Sequence, residues 1–139
     1  MRLYASVAVV VGMMTLCSLP YRAEAAGKYD GSAPLLCAAV TVTECEADGR
    51  CQRRSAENVN LPSLFKVDTK GMKVRNLETE KGRESPIQAV AHSNGKLVVN
   101  GADGERGWIV VINEDTGKMS GVVSGDGEGF VVFGQCALP

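Results

Sequence analysis

The chain has 139 residues, 5% of them aromatic, with 15 Lys+Arg against 16 Asp+Glu and a formal net charge of −1. That length supports one domain with a real core, built mostly from Val, Leu, Ile and Ala. No run of lysines and arginines exceeds a few residues, which excludes the electrostatic footprint of a nucleic-acid binder.

Residues 1–25 read as a secretory signal peptide. Arg2 gives a short positive start, Leu3 to Leu19 is an uncharged apolar run, Pro20 and Tyr21 break it, and Ala23-Glu24-Ala25 fits the small-x-small cleavage rule. The run is slightly short for a spanning helix. A lipoprotein site at Cys17 is disfavoured, because Leu16 stands where a small residue is wanted. Cleavage leaves a mildly acidic chain with no membrane span, periplasmic or secreted.

Four cysteines then remain, Cys37, Cys45, Cys51 and Cys136. An even count in an exported chain implies two disulfides, for which three pairings exist. Cys45 and Cys51 flank a stretch whose Asp48-Gly49 signals a turn. A hairpin end there sets them side by side and leaves Cys37 for Cys136. The second bridge would tie the first strand to the last. Closing about 100 residues stabilises by roughly 4–5 kcal/mol in the chain-entropy picture, and the short loop adds roughly 2–2.5 kcal/mol. Zinc is a poor alternative, since no C-x2-C pair exists and export favours bridges.

Residues 26–34 read as a loose, flexible leader to a domain over 35–139. Leu35 to Glu44 is a strand, with Thr41, Val42 and Thr43 suited to a pleated backbone. Cys37 and Cys45, eight apart, are expected on one face. Cys51 to Asn58 is polar and charged, and Ser55 caps at most one helical turn before Asn60-Leu61-Pro62. Leu64 to Asp68 and Met72 to Arg75 alternate around a turn at 69–71, with Phe65, Val67, Met72 and Val74 inward.

Glu78 to Ser85 is the most charged stretch: a solvated loop, or a mobile loop at the mouth of a binding site. Ile87 to His92 and Lys96 to Asn100 form a hairpin on Asn94-Gly95, the strongest two-residue turn signal in the chain. Gly101 to Gly107 reads as a loop. Trp108 to Ile112, Lys118 to Val123 and Phe130 to Gln135 complete eight or nine short strands. Such spacing predicts an all-β antiparallel meander, a small closed or nearly closed barrel, with a β-sandwich as the alternative. The segments from Trp108 and from Phe130 are apolar on both faces. Either residues 55–63 cover the outer face, the favoured reading, or that surface meets a partner.

No catalytic constellation emerges. His92 is the only histidine and reads as an exposed turn-flanking residue. No G-x-S-x-G elbow is present, and the even cysteine count leaves no free thiol for nucleophilic work. The turn acids Asp103, Glu105, Asp126 and Glu128 lack the pattern of a calcium loop. Gly125 to Gly129 precedes a strand rather than a helix, so it is no phosphate cradle. No cofactor and no metal is expected. Phe65, Val74, Trp108, Phe130 and Phe133 are the candidate surface for a ligand or partner, with core packing as the plainer role.

Several local sequences, among them Pro34 to Cys37, Asn60 to Pro62, Ser85 to Ile87, Gly107-Trp108, Thr116 to Met119 and Gly129 to Cys136, resemble a group of small exported β-domain proteins of Gram-negative bacteria with no assigned activity. A looser, architectural similarity is to periplasmic lysozyme-inhibitor β-barrels, whose inhibitory loop motif is not recognisable here. The expectation is therefore a non-enzymatic envelope protein that binds another protein or a small apolar ligand. An envelope hydrolase using the loop carboxylates and a structural envelope component are the alternatives. A hollow interior lined by Phe65, Val74 and Trp108 would favour the ligand.

Overall fold

The computed structural model describes residues 27–139, so the signal-peptide reading of residues 1–25 lies outside the described residues. Nine strands follow in chain order: β1 Leu35–Glu46, β2 Cys51–Arg54, β3 Leu64–Asp68, β4 Lys73–Asn76, β5 Glu84–Ser93, β6 Lys96–Asp103, β7 Arg106–Asn113, β8 Lys118–Gly125 and β9 Glu128–Ala137. A three-residue 3₁₀ turn, Glu57–Val59, lies between β2 and β3. All pairings are antiparallel. β3 to β9 form a meander, and β1 pairs with both β3 and β9, which closes an eight-stranded barrel. β2 is an extra strand hairpinned on the far half of β1. No helix among the described residues is long and apolar enough to cross a membrane.

Alternation builds the core. Phe65 and Val67 on β3, Leu97 and Val99 on β6, Ile112 on β7, and Phe130 and Val132 on β9 point inward and are buried. Asn94 and Gly95 both take positive φ, 49° and 68°, as the mirror-image two-residue turn of a tight hairpin requires. Both expected disulfides are present, and in each the two cysteines are directly opposed across neighbouring strands, Cys37 with Cys136 and Cys45 with Cys51. Their Cα separations of 4.0 and 4.1 Å fit the closer kind of cross-strand pair.

Local expectations fail where the ladder is irregular. The β1–β9 register shifts between Ala39 and Thr41, which leaves Val40 as the extra residue of a bulge. The shift inverts the faces: Cys37 and Val42 both point inward, and Cys45 falls on the outer face, not the face of Cys37. Gly101 to Gly107 is not a loop. β6 and β7 continue through it to a tight turn at Gly104 and Glu105. Met72 is exposed rather than inward, because it sits in the β3–β4 turn with φ of 51°.

Residues 27–34 are not loose. Tyr29 N–H donates to the Glu114 carbonyl at 2.7 Å, and the Thr69 hydroxyl donates to the Gly31 carbonyl at 2.6 Å. The segment is thus strapped between the β7–β8 and β3–β4 turns, with Gly31 against the buried Leu97. Glu114, itself buried, anchors the strap further by binding His92 Nδ1 at 2.6 Å. The opposite end of the barrel, where the β4–β5, β6–β7 and β8–β9 connections lie, is the mouth.

Candidate functional site

The mouth opens into a cavity of about 310 Å³. Its walls are the inward side chains of five strands: Phe65 on β3, Val74 on β4, Trp108 and Val110 on β7, Val123 on β8 and Val132 on β9. Trp108 is fixed from three sides. It stands opposite Gly101 on β6 and Val123 on β8, and its indole N–H donates to Ser85 Oγ at 2.9 Å. That bond satisfies the one polar atom of the indole.

The rim is charged. Residues 55–63 cross the mouth on their way from β2 to β3, with Ala56 and Val59 buried and Glu57, Asn60, Leu61 and Pro62 facing the cavity. Arg106 holds this segment. Its guanidinium donates to the Val59 carbonyl at 3.0 Å and to Glu128 at 2.8 Å, and lies 5.0 Å from the Phe130 ring centre. Across the opening, Arg83 pairs with Asp103 at 2.7 Å, and that hydrogen bond and charge raise the Arg83 guanidinium above its usual value. Glu78 accepts from both the backbone N–H and the hydroxyl of Ser63.

Of the five residues singled out from sequence, Phe65, Val74 and Trp108 meet on the cavity wall. Phe130 is buried beneath Arg106 and belongs to the packed core. Phe133 does not belong to this site: it faces outward and is 52% exposed. It lies three positions after Phe130, an odd offset, and a strand's two-residue period puts the pair on opposite faces. Nor do residues 55–63 cover the outer face. They are spent on the mouth, so Val40, Ile109, Val122 and Phe133 remain exposed on the outside of the barrel.

The charged stretch 78–85 contributes Glu78, Arg83 and Ser85 to the cavity border, and its last two residues already belong to β5. Arg106 was hidden inside a glycine-rich segment read as loop. Among the turn acids, Asp103 and Glu128 are bound to arginines, whereas Glu105 and Asp126 sit on exposed turns. Among the described residues no three His, Cys, Asp or Glu side chains gather as a metal site. The geometry is that of a cavity with apolar walls, one satisfied indole and a polar rim.

Compared with protein-family models, curated proteins and solved structures, the chain has no match. Fold and site define a small disulfide-closed β-barrel with a cavity at one end.

Proposed function

We propose that this is an exported, non-enzymatic binding protein of the bacterial envelope that holds a small, largely apolar ligand inside the barrel. The cavity bounded by Phe65, Val74 and Trp108 is the observation that carries the reading. Its volume lies at the low end of the roughly 300–1,000 Å³ typical of small-molecule sites, and apolar walls with few polar groups are their usual lining. Export rests on the signal-like residues 1–25 and on two disulfides, which persist in oxidising compartments. The resemblance to small exported β-domain proteins of Gram-negative bacteria points to the periplasm. Nothing at the mouth favours the hydrolytic alternative, whose best-placed carboxylates are engaged by Arg83 and Arg106.

Trp108 is the only tryptophan in the chain and lines the cavity, so its emission reports occupancy directly. Titration with octanol is expected to shift that emission saturably. Val123→Phe, which fills the cavity from the strand next to Trp108, is expected to abolish the response while leaving a folded barrel by circular dichroism. An unsaturable response, or one that survives Val123→Phe, counts against an interior site.

A further inference from the structure

The rim specifies the charge of the ligand. We infer that the cavity takes a small amphiphilic cation, its apolar body among Phe65, Val74 and Trp108 and its positive head at the mouth, an inference that rests on the binding reading above.

Four carboxylates surround the opening, Glu57, Glu78, Asp103 and Glu128, against two guanidiniums, Arg83 and Arg106. Both guanidiniums are already taken. Arg83 is bound to Asp103, while Arg106 divides its donors between Glu128 and the Val59 carbonyl. An incoming anion would have to displace a carboxylate and then sit among like charges. Glu57 and Glu78, by contrast, line the cavity and form no ion pair among the described residues. Glu78 is held in place by its two bonds from Ser63, so its charge is positioned before any ligand arrives. Apolar, low-dielectric walls below the rim focus this field on whatever enters.

Glu105 and Asp126 lie on exposed turns beside the mouth and add to its acidic character.

The test compares three probes with one tail, octyltrimethylammonium, octanoate and octanol, on the disulfide-bonded protein at low salt, reading Trp108 emission. The cation is expected to bind roughly tenfold tighter than octanoate, since each partly exposed charge contact contributes modestly. High salt and the Glu57→Gln/Glu78→Gln double variant should each collapse the preference of the cation over octanoate. Equal or tighter binding of octanoate overturns the charge inference and leaves the cavity reading standing. Saturable binding by none of the three overturns the cavity reading itself. A preference that persists undiminished in the double variant also defeats the assignment to Glu57 and Glu78.

Discussion

The indole of Trp108 lies across Gly101, its direct cross-strand neighbour on β6. A methyl at Gly101 would stand 2.4 Å from Trp108 Cζ2 and 2.3 Å from the Pro86 carbonyl oxygen, closer than side-chain atoms approach one another. The missing side chain is what lets the ring lie flat against the wall and reach Ser85. Gly101→Ala is therefore expected to push the indole into the cavity, break the bond to Ser85 and cost about 1–3 kcal/mol, the usual range for overpacking. Chemical denaturation measures the cost, and a changed Trp108 emission maximum in the native state reports the displacement. An unchanged spectrum and midpoint would show that the strand yields instead.

Phe130 and Phe133 invite opposite outcomes from the same substitution. Phe130 is 1% exposed and packs under Arg106, so Phe130→Ala should cost about 3–5 kcal/mol. Phe133 stands on the outer face, and Phe133→Ala should remain within about 1 kcal/mol of the parent. Urea midpoints of the two variants decide the matter. Comparable losses would mean that the outer face is covered after all.

The two disulfides should differ in weight by loop length. Replacing Cys37 and Cys136 together by alanine releases a seam that joins residues 99 apart, expected to cost about 4–5 kcal/mol. The same change at Cys45 and Cys51, six residues apart, should cost about 2–2.5 kcal/mol, with the barrel retained. Melting curves of both double variants test the order, and a reversed order would contradict the role of the first bridge as the closure.

Asp30 offers a pH signature for the strapped segment. The Ser32 hydroxyl and backbone N–H hold the Asp30 carboxyl below its ordinary value, with a smaller contribution from His92. A lowered carboxyl stabilises the folded state above its unfolded value of 3.8, and that gain is lost as pH falls through the folded value. Because Asp30 is only partly buried, the effect on stability is small and is best read by NMR titration of the carboxyl carbon. Ser32→Ala should move the midpoint up toward the ordinary value. A midpoint unmoved by Ser32→Ala would assign the shift elsewhere.

Much of the barrel was legible because its signals are local. Period-two alternation marked β3 and β4, Asn94-Gly95 marked its hairpin, and the cysteine count with the Asp48-Gly49 turn predicted both bridges. What escaped depends on register. A bulge at Val40 carries no composition of its own, yet it exchanges the faces of everything after it, which is why Cys45 was misplaced. Gly101 to Gly107 has the composition of a loop, but the ladder with β7 satisfies its backbone and carries the strand on. Reading it as loop concealed Arg106, the residue that binds the segment across the mouth. The cavity wall was half legible: Phe65 and Val74 are inward by alternation and Trp108 is the chain's one tryptophan, whereas the rim is assembled from chain segments far apart in sequence.

The bulge at Val40 also divides the protein's redox chemistry. By turning β1 over midway, it places Cys37–Cys136 inside the core and Cys45–Cys51 on the surface, although all four cysteines lie on β1 or its direct neighbours. A thiolate must reach sulfur to exchange with it, so a mild reductant finds the surface bridge first. The β1–β2 hairpin then opens as a separate event while the seam stays shut. Pulsed alkylation during reduction should label Cys45 and Cys51 well before Cys37 and Cys136, making one strand the carrier of two bonds with separate lifetimes.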